Sequence, residues 1–166
     1  MANGSGNNLF ENFVEMDGRA RGFLGLFYQW LRSGTGPALA DQKASDLAHK
    51  ADRYLRDFVV DILELAPEKS DAETVRKYLG NWYIINTLGP TLEELDLIGE
   101  SLRLFHQWAA LRGIIGKDTE AGVIAALSKM DFFHGRLESF WSLRPEGITG
   151  WRAVDDYRKP HSSPLG

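Results

Sequence analysis

The sequence predicts an all-α fold, a compact orthogonal bundle of about five to six helices with a flexible C-terminal tail. Three observations predict it. Apolar residues recur at spacings of three and four along most of the chain. Helix-start and helix-stop signals punctuate that pattern at regular intervals. No stretch alternates long enough to read as a strand, since Ile114-Ile115 and Ile148-Thr149 are too short. With every element helical, one apolar stripe per helix must be buried against another helix.

The first helical stretch runs from Leu9 to Leu31. Leu9, Phe10, Phe13, Val14 and Met16 form one piece. Phe23, Leu24, Leu26, Phe27, Trp30 and Leu31 form a second. Gly18, Gly22 and Gly25 interrupt the pattern, and each costs up to about 1 kcal/mol relative to Ala inside a helix. A break near Gly18 is expected. Ser33-Gly34-Thr35-Gly36-Pro37 then reads as a stop and loop.

The next helix has the clearest period. Ala44, Leu47, Ala48, Ala51, Tyr54, Leu55, Phe58, Val59 and Ile62 lie on one face, and charges of alternating sign lie on the other. Pro67 ends it. Ser70-Asp71-Ala72-Glu73 has the form of a capping box, with Ser70 as the N-cap. The helix it starts carries Val75, Tyr78, Leu79, Trp82 and Ile85, and Gly89-Pro90 closes that segment.

Thr91-Leu92-Glu93-Glu94 is a second capping box, and its acids suit a positive helix N-terminus. The helix runs to about Arg112, with Gly113 as its C-terminal stop. It has two apolar stripes. One is Leu92, Leu95, Ile98, Leu102, Phe105 and Ala109; the other is Leu97, Leu104, Trp108 and Leu111. A helix apolar on two sides sits between partners, so this one is expected to be central. Asp118 or Thr119 caps a further stretch bearing Val123, Ile124, Leu127, Met130, Phe133, Leu137, Phe140 and Trp141. Pro145, Gly147 and Gly150 break it, and the polar remainder lacks periodicity. The expected organisation is a flexible N-terminus over 1–8, one helical domain over 9–144 and an irregular tail over 145–166.

Composition narrows the function classes. The chain has 166 residues, 43% hydrophobic and 25% charged, the balance of an ordinary globular protein of one-domain length. It has no cysteine, which removes disulfides, Cys-ligated zinc and a Cys nucleophile and fits a cytoplasmic location. The N-terminus lacks the basic and apolar regions of a signal peptide. No apolar run approaches the ~18 residues of a membrane span, so no membrane partner is expected. The net charge of −4 runs against nucleic acid, because phosphate binding rests on a basic excess.

Phe27-Tyr28-Gln29-Trp30-Leu31, Tyr54-Leu55-Arg56-Asp57-Phe58, Thr74-Val75-Arg76-Lys77-Tyr78-Leu79 and Ser101-Leu102-Arg103-Leu104-Phe105-His106-Gln107-Trp108 leading to Gly113-Ile114 follow one another in order. In that order and spacing, residues 23–115 resemble the SAM-like, N-terminal core-binding domain of phage-integrase-type tyrosine recombinases. The resemblance implies a helical module that clamps DNA, with the chemistry in a separate domain. The stretch after Gly113 is too short for that domain, and His134-Gly135-Arg136 does not follow its His-x-x-Arg pattern. If the implied helices pack as in that module, Lys50, Arg53, Arg76, Lys77 and Arg103 form the DNA-facing set.

No catalytic or metal motif stands out. His49, His106, His134 and His161 are scattered without ligand spacing. His106 reads as a helix-boundary side chain, and His134 as part of a salt-bridged surface with Asp131, Arg136 and Glu138. Tyr157, with Arg152, Arg158 and His161, falls in the polar tail, where a rigid constellation is not expected. Trp30, Trp82 and Trp108 lie on core stripes, whereas Trp141 and Trp151 near the C-terminal break are candidates for a partner surface. The leading expectation is a non-enzymatic interaction module without cofactor or metal, acting through a protein partner or self-association. The alternative is DNA binding by the core-binding-like portion. A weaker option is an enzyme using the His134 region.

Overall fold

The computed structural model describes residues 4–162, and all their regular structure is helical. Seven helical rods are present among them. Two compact units make up the chain, Met1–Ser70 and Asp71–Gly166. The division follows the turn at Pro67, within the stretch read from sequence as one domain. Among the described residues, no helix is long and apolar enough to cross a membrane. Of the residues expected to be flexible termini, 1–3 and 163–166 lie outside the described residues.

The first unit is a helical hairpin. Helix α1 (Gly4–Arg32) is continuous, and the break expected near Gly18 does not occur. Gly18, Gly22 and Gly25 fall on its exposed side, with nothing within 4 Å of an added Cβ. Their combined propensity deficit of about 3 kcal/mol is offset by burial of Leu24, Phe27 and Leu31 on the other side, at about 1.5–3 kcal/mol each. The loop closes tightly at Gly36, where a Cβ would lie 2.2 Å from the Trp30 carbonyl oxygen.

Helix α2 (Asp41–Asp52) returns along α1 and runs without interruption into a π-helical segment, Arg53–Ile62. The Leu63 amide donates to the Phe58 carbonyl at 2.9 Å, five residues back. The wider turn shifts the buried face. Tyr54, Leu55, Phe58 and Val59 are buried as expected, but Val60 joins them and Ile62 turns outward, 42% exposed. A 3₁₀ turn, Pro67–Lys69, follows. Arg56 reaches Asp17 at 2.9 Å, and Glu68 pairs with Arg19, tying the end of the hairpin to α1.

In the second unit, α3 (Ala72–Lys77) starts one residue later than the sequence suggests. Asp71, not Ser70, is the N-cap. Its carboxylate accepts from the Thr74 amide at 3.0 Å, and Thr74 Oγ1 accepts from the Asp71 amide at 2.9 Å. Ser70 instead hydrogen-bonds the buried Tyr54 hydroxyl within the first unit. Helix α3 continues through a π-helical segment, Tyr78–Trp82, into the short α4 (Tyr83–Ile85).

Thr91 caps α5 (Leu92–Leu111) as expected, accepting from the Glu94 amide at 3.1 Å. The far end is a Schellman closure. Gly113, at φ +71°, donates to Ala110 O, and Ile114 donates to Ala109 O. Helix α5 buries most of its circumference and packs against both α6 (Lys117–Leu127) and α7 (Met130–Trp141). Leu111, assigned to its second stripe, is 61% exposed in the last turn.

The stretch read as one helix capped at Asp118 or Thr119 is two helices, α6 and α7. Gly116 takes the N-cap position of α6, without a side-chain cap. A 3₁₀ turn, Pro145–Gly147, leads into α8 (Ile148–Ala153). Residues 145–153 are therefore ordered helix and turn where an irregular tail was expected.

Candidate functional site

The expected partner-binding pair divides. Trp141 is 55% exposed, but Trp151 is a core residue. The Trp151 indole donates to the Arg136 carbonyl and to Ser139 Oγ, both at 3.1 Å, and its ring packs on Phe140. Its other face covers the Arg136 guanidinium, 3.8 Å from the ring centroid. Arg136 is itself buried. It donates to the carbonyls of Gly80 and Trp151 at 2.8 Å and of Val154 at 3.4 Å. Burial pulls its pKa below the ordinary value, yet a guanidinium stays charged at any physiological pH.

Nor does the segment after α8 dangle. Asn81 Nδ2 donates to the carbonyls of Arg152 and Val154 at 3.0 and 2.9 Å, and Lys77 Nζ donates to that of Lys159 at 3.1 Å. Arg158 grips Asp156 through two bonds of 2.9 and 2.8 Å, holding its carboxyl at about 2. The polar tail expected around Tyr157 is thus fixed as far as Ser162, the last described residue. The signal missing from the sequence was a local one: the partners are a Lys, an Asn and an Arg from α3, the π segment and α7.

The DNA-facing set is also depleted. Lys77 is buried, with Nζ 3.0 Å from Glu73 Oε1, so it offers nothing to a phosphate. Arg76 is half-exposed and 3.8 Å from Asp155; Arg103 is exposed. Lys50 and Arg53 lie in the first unit and are half-buried.

The histidines separate by burial. His106 is fully buried in the middle of α5, not at a helix boundary, and its Nδ1 lies 2.6 Å from the Leu102 carbonyl. Burial lowers its pKa to about 4, so the ring is neutral at pH 7. His134 Nε2 lies at the surface within hydrogen-bond distance, 2.6 Å, of Asp96 Oδ1 on α5. The partners expected for it, Asp131, Arg136 and Glu138, are not the ones it uses.

His161 sits between two carboxylates, with Nε2 3.0 Å from Asp71 and Nδ1 3.1 Å from Glu73. The second contact lies off the line of a hydrogen bond. Burial raises the Glu73 pKa, but the Lys77 bond and the His161 charge outweigh it and leave the group below its ordinary value. Asp71, Glu73 and His161 bring ligand atoms within 4.8 Å of one another. The two ring nitrogens face different acids, however, and a metal ion takes only one of them. The arrangement is that of a polar bridge between the tail and the start of α3.

Two surfaces stand out among the described residues. The first is the outer part of α1, where Leu9, Phe10, Phe13 and Val14 are exposed by 71, 66, 38 and 51%. The second is a cavity of about 320 Å³ in the second unit. Phe132 and Phe133 of α7 and Gly122, Ala125 and Ala126 of α6 line it, together with the cations Arg76 and Lys129. No family model, curated protein or solved structure matches the chain.

Proposed function

We propose that the protein is a non-enzymatic helical interaction module that self-associates through the outer turns of α1. One observation carries this reading. The row that buries Ala20, Leu24, Phe27 and Leu31 continues outward through Met16, Phe13 and Leu9 at the same spacing of three and four. Its covering stops short. Helix α1 has 29 residues, whereas the returning rod has 12 in α2 and 10 in the π segment, and Arg56, six residues before its end, pairs with Asp17. The difference of 7 residues leaves about two turns of apolar helix overhanging the hairpin.

Each large side chain there gains roughly 1.5–3 kcal/mol on full burial. The overhang has weak helix formers in Gly6, Asn7 and Asn8, and its large side chains from Leu9 to Val14 are exposed, so a second helix laid on it supplies burial that the free segment lacks. A second copy presents the same row and the same overhang, which suits an isologous pair.

Sedimentation equilibrium tests this. The expected result is a concentration-dependent dimer that the double change Leu9→Glu and Phe13→Glu converts to a monomer without lowering the melting temperature of the hairpin core. A wild-type monomer at the highest soluble concentration would sink the proposal. The alternative of duplex DNA binding has to do without Lys77, and it predicts salt-sensitive retardation of duplex DNA.

A further inference from the structure

We propose that the cavity between α3, α6 and α7 binds a small organic carboxylate with a compact apolar body. The argument begins with shape. Gly122, Ala125 and Ala126 lie on one face of α6, and their small side chains leave the space that Phe132 and Phe133 bound from α7. A Cβ added at Gly122 would meet only Ala72 Cβ, at 3.7 Å. Phe132 is 44% exposed, an aromatic ring lining an open cavity instead of a packed core. At about 320 Å³ the cavity is at the small end of the range for ligand sites, which fits a single ring or a short branched chain.

Charge decides the rest. The lining contains two cations, Arg76 and Lys129, and no acid. Arg76 is 3.8 Å from Asp155, the long limit of an ion pair, and its side chain is 42% exposed. Its planar fork can take both oxygens of a carboxylate, and Lys129 adds a point charge. An uncharged apolar ligand would leave both cations unused, and a bare inorganic anion would leave the phenylalanine wall uncovered. The occupant that uses every part of the lining is an anionic head on an apolar body.

The test is titration of the full chain with phenylacetate, followed by amide chemical shifts, with phenylacetamide and inorganic phosphate as comparison ligands. Phenylacetate is expected to shift residues 122–133 and Arg76 saturably, with a Kd in the range of about 0.1–1 mM. Phenylacetamide, the same shape without the charge, is expected to bind at least about tenfold more weakly, and phosphate to leave Phe132 and Phe133 unmoved. Arg76→Met should weaken phenylacetate by about tenfold, and Ala126→Phe should abolish binding by filling the cavity. Arg76 is half-exposed and away from the core, so its variant keeps the test open if Ala126→Phe does not fold. Equal binding of the amide and the acid, no change in Arg76→Met, or no saturable shift with phenylacetate would each overturn the proposal.

Discussion

Acidification should destabilise this protein through His106, by an amount that follows from its burial. The ring is fully enclosed in α5 and its pKa is lowered to about 4, against about 6.5 in the unfolded chain. Between those values the unfolded state binds a proton that the folded state refuses. Stability is therefore complete above pH 6.5 and falls as the pH drops through the folded value. At about 1.4 kcal/mol per pH unit, the loss from this group is about 1.4 kcal/mol at pH 5.5 and about 3 kcal/mol at pH 4. That is a large fraction of a typical folding free energy of about 5–15 kcal/mol.

Urea denaturation at half-unit steps from pH 7.5 to 4 measures the loss, with His106→Gln as the reference. Carboxylates titrate in both proteins and cancel in the difference. Wild-type stability should drop by about 3 kcal/mol more than the variant's over that range, whatever the variant's starting stability. Direct titration of the imidazole carbon shifts should place the midpoint near 4. Parallel stability curves, or a midpoint near 6.5, would refute the reasoning.

Two further outcomes follow from the second unit. Arg136→Met keeps much of the bulk against Trp151 but removes the guanidinium's own bonds to the Gly80, Trp151 and Val154 carbonyls. It should cost about 2–4 kcal/mol and make residues 148–162 exchange amide protons faster, and unchanged exchange there would count against the staple. Asp71→Ala should lower stability by about 1–2 kcal/mol and fray the first turn of α3, whereas Ser70→Ala should leave that turn's amide protection intact. The reverse result would restore Ser70 as the cap.

What the sequence revealed was local. Helix α5 was legible from Thr91 to Gly113 because both caps and the apolar face depend on residues within a few positions of one another. Helix α1 was misread at Gly18 because propensity was weighed without the tertiary burial of Leu24, Phe27 and Leu31 that outweighs it. The face from Tyr54 was right as far as Val59, and the wider turn of the π segment brought Val60 in and put Ile62 out. Neither candidate surface could be seen whole. The α1 stripe was visible, but where its cover ends depends on the length of the returning rod. The cavity joins Arg76 to Lys129 and Phe132 across more than fifty residues of sequence. Trp151 sits among glycines with no period, and contacts with Arg136, Ser139 and Phe140 of α7 make it a core residue.

The C-terminal segment behaves as a peptide ligand that happens to be covalently attached. Its hosts read mostly its main chain: Asn81, Lys77 and Arg136 all end on carbonyl oxygens, and Glu73 receives the Ser162 amide. Recognition of that kind tolerates most side chains, so the segment's identity is concentrated in the indole of Trp151 and the imidazole of His161. Tethering replaces affinity here. A docked stretch whose free counterpart would bind weakly stays seated because its local concentration is set by the short connection after α7.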